Sequence, residues 1–194
     1  MSEVRVNESW HRGDWMQTFT GKKFYPLSPD PDQVDELDIA HALSMLCRYN
    51  GHVNRFYSVA EHCVLMARYF ITAQEDRELA QIALLHDATE AYVGDMVRPL
   101  KHSGEMEAYK EIEDLVWGAI CEAVGIKPTE RQMKRVKDAD FMILLTERDA
   151  LMGHDDDWSQ DSNHYPLPVW IEGWSPERAE QEYLEMLRTV GLLL

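Results

Sequence analysis

Three segments of the 194-residue chain carry residues that ligate divalent transition metals: His62, the adjacent His86 and Asp87, and Asp140. Two imidazole nitrogens and two carboxylate oxygens suit one Zn, Mn, Co or Fe ion better than Mg or Ca, which prefer oxygen alone. Asp87 follows the apolar run Ile82-Ala83-Leu84-Leu85, and Asp140 shares a helical stripe with Val136, Ile143 and Leu144. A carboxylate on such a face must be compensated, and a shared cation compensates both at once. His62 falls on the stripe of Val59 and Met66. Singly, each residue has a plainer reading. An inward histidine is more often a hydrogen-bonded core residue, and Asp140 alone could pair with a nearby Arg or Lys. Their occurrence together, in order and on inward faces, favours one bound ion.

The elements that must position these groups read as helices almost throughout, so the fold class is all-α. Residues 1–33 are irregular, with a turn at Gly21-Lys22-Lys23 and a stop at Ser28-Pro29-Asp30-Pro31. A first helix is predicted from about Val34 to Tyr49, with Ile39, Leu43, Leu46 and Cys47 on one face; Asn50-Gly51 ends it. A second begins at Ser58, where Ser58 and Glu61 form a possible capping box, and buries Val59, Cys63, Met66 and Phe70. A third runs from about Arg77 to Tyr92 and is closed by Gly94. On it, His86 and Asp87 would point about 100° apart and grip an ion from neighbouring directions. A fourth covers about 105–124. A fifth starts at Pro128-Thr129 and runs to about Met152, and a last one, opened by Ser175-Pro176, ends near Val190. Residues 153–174 form an irregular excursion. No run alternates with period two for long enough to be a strand.

The segments Ser58-Val59-Ala60-Glu61-His62, His86-Asp87-Ala88-Thr89-Glu90, Gly94-Asp95-Met96-Val97-Arg98-Pro99-Leu100-Lys101 and Ala139-Asp140 resemble the HD superfamily of metal-dependent phosphohydrolases. Within it they look most like bacterial 5′-deoxynucleotidases and the related phage deoxynucleotide triphosphohydrolases. The likeness spans roughly residues 36–152. It implies one compact HD-domain helical bundle over 1–194, with its core at about 34–152 and a C-terminal loop and helix at 153–194. It also implies roles. Glu90 would orient or deprotonate the attacking water beside the ligand Asp87. Arg48 and Lys101 would hold phosphate oxygens, and Asp95 would meet the deoxyribose 3′-hydroxyl. Tyr49 stands where those deoxynucleotidases have Trp. Its position in the loop between Arg48 and His62 makes His52 a further candidate for the phosphate, and Arg55 is a fourth cation within reach of a longer phosphate tail. Glu147, seven residues beyond Asp140, either faces the pocket or pairs with an Arg, while His41 is read as structural.

The reaction implied is in-line hydrolysis at phosphorus, most simply release of phosphate from deoxynucleoside 5′-monophosphates. The alternative is a dNTP triphosphohydrolase of the dATP type. Alarmone (ppGpp) or cyclic-nucleotide hydrolysis and a non-catalytic nucleotide sensor are the more distant rivals. A net charge of −16 argues against long nucleic acid as a partner. The apolar runs are too short to span a bilayer. Three cysteines, Cys47, Cys63 and Cys121, without a CxxC spacing read as reduced thiols of a cytoplasmic protein. Such enzymes form dimers or larger rings, so a homo-oligomer is expected.

Overall fold

The computed structural model describes residues 11–153 and 164–192; what the sequence predicts for residues 1–10 and 154–163 lies outside the described residues. The described part of the first 33 residues is irregular except for a 3-10 turn at Pro31–Gln33, capped by Asp30, and a hairpin of β1 (Met16–Gln17) and β2 (Lys23–Phe24), antiparallel with Met16 opposite Phe24. Two residues per strand is too short to produce an alternating pattern, so the pair escaped the sequence reading. Gly21 turns it at φ 87°, a left-handed conformation that favours glycine.

Helix α1 (Glu36–Met45) starts where Asp35 accepts the Leu37 amide, and it buries Ile39, Ala40 and Leu43. It ends four residues before the predicted Tyr49. The chain there pairs with the entry to the next helix: Cys47 bridges Ser58, Arg48 N donates to Tyr57 O at 2.9 Å, and Val59 N donates to Leu46 O at 3.1 Å. Tertiary pairing thus claims backbone groups that a continuing helix would have used. Arg48–Gly51 then forms a tight turn in which Tyr49 and Asn50, neither a glycine, have φ of 59° and 51°.

Helix α2 (Val59–Gln74) is the central rod. Every residue from Val59 to Ala67 is buried, as expected of a helix surrounded by others. Ser58 caps it by accepting the Glu61 amide at 3.0 Å. The reciprocal half of the predicted capping box does not form. Glu61 instead accepts the backbone amides of Glu172, Gly173 and Trp174, which secures the segment entering the last helix. Helices α3 (Arg77–Leu85) and α8 (Pro176–Val190) pack on α2, and α8 also lies across α1 and α3.

The third predicted helix is in fact two. After Leu85 the hydrogen bonding tightens to three residues per turn, with Ala88 N on Leu85 O, Glu90 N on Asp87 O and Ala91 N on Ala88 O. A short α4 (Glu90–Val93) follows and is closed by Gly94 at φ 83°. Then come α5 (Arg98–Lys101), α6 (Glu107–Val124) and α7 (Glu130–Leu151). The last has a full capping box between Thr129 and Gln132. Leu43, Leu84, Leu85, Ile120, Ile143 and Leu151 are fully buried, each contributing about 1.5–3 kcal/mol by leaving water. Among the described residues no helix is long and apolar enough to cross a membrane.

Candidate metal and phosphate site

α2 and the break after α3 bring His62, His86 and Asp87 into one cluster, and α7 sets Asp140 beside it. His62, in the buried N-terminal half of α2, needs a polar partner for each ring nitrogen. Its Nδ1 finds Glu147 Oε1 at 2.6 Å. His86 Nδ1 likewise meets the Ala83 carbonyl, at 2.7 Å. Both acceptors fix the proton on Nδ1 and leave the Nε2 lone pairs bare. Those two nitrogens lie 3.2 Å apart. Asp87 Oδ2 is 3.3 Å from His86 Nε2 and 3.6 Å from His62 Nε2. Ligands at about 2.0–2.1 Å from a tetrahedral ion are separated by about 3.3 Å, so the spacing fits a metal. His62, His86 and Asp87 form a cluster that could hold one. Asp140 Oδ1 joins from α7, 3.3 Å from His62 Nε2 and 4.0 Å from His86 Nε2. The tightened turn at 86–89, rather than a continuous helix, is what aims His86 and Asp87 together.

The electrostatics ask for a cation. Asp87 bears on Asp140, Glu90 and Asp95, with Arg48 and Lys101 as nearby positive charges. Burial works against ionised Asp87, but His86, His62 and Arg48 outweigh it and hold its carboxyl below the usual range. Burial likewise presses both imidazoles down, and Glu147 and Asp140 around His62, with Asp87 beside His86, reverse this and raise them.

Arg48, half of the predicted phosphate grip, projects from the left-handed turn. It donates from Nη1 to Asp87 Oδ2 at 3.2 Å and from Nη2 to Glu147 Oε2 at 3.4 Å. Its buried Nε has no hydrogen-bond partner among the described residues. The Tyr49 ring lies 5.3 Å from the guanidinium, and its hydroxyl donates to Glu147 Oε2. Glu90 is buried with Oε2 unpartnered among the described residues. Burial first, then Asp87 and Asp95, push its carboxyl well up. A carboxyl whose hold on its proton is strengthened in this way is suited to exchanging protons. Asp95 is half-buried after Gly94 and is also raised, by burial first. Lys101 is tied to Glu113 Oε1 on α6 at 2.7 Å. Near it, Tyr109 donates to the Gly94 carbonyl at 2.8 Å, bracing the segment that carries Asp95.

Two further predicted groups lie differently. His52 is exposed. Arg55 donates to the Ala150 and Ile171 carbonyls and lines a separate cavity of about 760 Å³ with Trp170 and Asp149. A surface guanidinium beside free carbonyls is drawn to them rather than to a distant anion, so Arg55 does not join Arg48. His41 is structural, its Nδ1 2.9 Å from Glu180 and its ring stacked on Phe19. Glu113 was not singled out from the sequence, although Glu113, Val116 and Ile120 mark an inward stripe on α6.

The family described as 5′-deoxynucleotidase YfbR-like matches residues 50–141. The uncharacterized protein YfdR of Escherichia coli is 41% identical over 142 residues, covering 73% of this chain and 74% of that protein. The chain belongs to the HD superfamily. An uncharacterized protein of Rhodobacter capsulatus is 32% identical over 167 residues, covering 82% of this chain and 84% of its own length. HD-type proteins typically bind a divalent metal, and the His62, His86 and Asp87 cluster supplies a place for one here. The segment matched by the family contains His62, His86, Asp87, Glu90, Asp95, Lys101 and Asp140, whereas Arg48, Tyr49 and Glu147 lie outside it.

Proposed function

We propose that the protein is a metal-dependent 5′-deoxynucleotidase that releases phosphate from deoxynucleoside 5′-monophosphates. The observation that carries this reading is the pair of Nε2 atoms 3.2 Å apart, with Asp87 against them and Arg48 hydrogen-bonded to that same Asp87 oxygen. His62, His86, Asp87 and Asp140 would hold one Zn, Mn, Co or Fe ion. When bound, such an ion acidifies water and offsets charge building on a phosphoryl oxygen. Arg48 and Lys101 bind the remaining phosphate oxygens, the first as a fork and the second as a point charge. Glu90 takes a proton from the water as its oxygen bonds to phosphorus, and returns one to the 5′ oxygen as the P–O bond breaks. Asp95 accepts from the 3′-hydroxyl. Tyr49 walls the sugar side of the pocket, filling the space a 2′-hydroxyl would need, and His52 contributes from the rim.

The cation inventory supports a monophosphate. Arg48 and Lys101 act on Glu90, while Arg55 is committed to backbone carbonyls elsewhere. A triphosphate tail, the alternative substrate, calls for more converging cations than these two. The reading retains a cytoplasmic location, supported by the free thiols of Cys47, Cys63 and Cys121, and a dimer or larger assembly, which light scattering tests.

The experiment is a comparison of kcat/KM for dNMPs, NMPs and an aryl phosphate on protein loaded with Mn or Co. Preference for dNMPs, with Asp95→Asn impairing nucleotides far more than the aryl phosphate, supports the reading. Equal rates on ribo- and deoxynucleotides, or equal loss on all substrates, contradicts the sugar assignment.

A further inference from the structure

Glu147 has no solvent exposure and sits two helical turns beyond Asp140 on α7. Its two oxygens divide four donors between them. Oε1 accepts His62 Nδ1 at 2.6 Å and the Tyr57 hydroxyl at 2.8 Å. Oε2 accepts Arg48 Nη2 at 3.4 Å and the Tyr49 hydroxyl. One oxygen therefore serves a residue of the metal cluster, and the other serves the guanidinium next to it. From this division we infer that Glu147 is the positioning residue that couples the two halves of the site, setting the tautomer of His62 and the direction of Arg48 together. The inference builds on the proposed metal and phosphate roles of His62 and Arg48.

The chemistry follows from what each group can offer. A carboxylate only accepts, so the His62 proton is drawn to Nδ1 and its Nε2 lone pair turns toward His86 and Asp87. Arg48 has only donors, so its Nη2 edge is held on Oε2, leaving Nη1 on Asp87 and Nε facing no partner among the described residues. A buried residue used only for packing would not need four donors from three separate chain segments.

Glu147→Gln keeps the volume and removes this capacity. An amide has one acceptor and one donor end. Arg48 cannot accept, so the amide oxygen turns to Arg48 and the NH2 group faces His62. His62 then accommodates that donor by moving its own proton to Nε2, which closes the lone pair to a metal.

The test measures Zn and Co affinity by competition dialysis without substrate, so it stands even if no deoxynucleotide is hydrolysed. Glu147→Gln is expected to weaken affinity about 10- to 100-fold. Tyr57→Phe removes one donor from Oε1 but leaves the link to His62, and is expected to stay within about threefold of wild type. Affinity within threefold of wild type in a folded Glu147→Gln, judged by circular dichroism, overturns the inference. Should that variant fail to fold, ring-nitrogen NMR of wild-type protein decides, with His62 assigned by difference against His62→Gln and read at a pH where the ring is neutral. A low-field, slowly exchanging proton on Nδ1 supports the inference, and a proton on Nε2 overturns it.

Discussion

His62 and His86 present their Nε2 atoms to each other at 3.2 Å, each ring having its Nδ1 bound to a protein acceptor. Two lone pairs at that distance repel unless a proton or a metal lies between them. The same contact therefore governs what the metal-free protein does with protons and what the loaded protein does with an ion.

Metal binding should release protons. In the metal-free protein burial lowers both histidines, but Glu147 and Asp140 around His62, and Asp87 beside His86, raise them overall above the usual 6.5. Groups raised on folding contribute stability that is fully present below the unfolded value and lost as pH rises through the folded one. The metal-free protein should thus lose stability above neutrality, while metal affinity rises as the competing protons leave. Calorimetry in two buffers of different ionisation enthalpy is expected to show about one or more protons released per ion near pH 7. No release contradicts the arrangement.

The four proposed ligands should be separable from the fold. His62→Ala, His86→Ala, Asp87→Ala and Asp140→Ala should each lose bound metal and nearly all activity, because each removes one of four protein ligands. Elemental analysis checks this. A variant with wild-type metal content removes that residue from the ligand set.

Glu90→Gln keeps shape and loses basicity. Turnover should fall on the order of 10²-fold or more with metal content retained. Turnover within a few-fold of wild type takes Glu90 out of proton transfer.

Glu61 serves the scaffold rather than the chemistry. Glu61→Ala strands the amides of Glu172, Gly173 and Trp174, which the carboxylate holds at 3.0, 3.0 and 2.6 Å. A loss of about 3 kcal/mol is expected, or on the order of 5–10 °C in Tm. An unchanged melting curve would show that the loop entering α8 is held by other contacts.

The approach of His62, His86, Asp87 and Asp140 was legible in the sequence because His62 and Asp140 share stripes with apolar residues and the His86-Asp87 pair follows an apolar run. Their exact aim was not. His86-Asp87-Ala88-Thr89 contains no Gly or Pro, so nothing local announces the tightened turn that orients the pair. Ser58 and Glu61 had the spacing of a capping box, but a local signature cannot reveal that Glu61 answers to residues 172–174, more than a hundred positions away. Glu147 showed its inward register through Asp140. Its donors, Arg48, Tyr49, Tyr57 and His62, lie 85–99 positions away and meet it only in the folded chain.

The central claim is cleavage of a phosphomonoester by a metal-loaded HD site. Phosphorus NMR of the products tests it most directly, with Mn- or Co-loaded protein quenched by chelator before the spectra are recorded. Inorganic phosphate and nucleoside from a dNMP, with dNTP left intact, is the predicted result. Intact tripolyphosphate released from a dNTP, with the dNMP untouched, contradicts it.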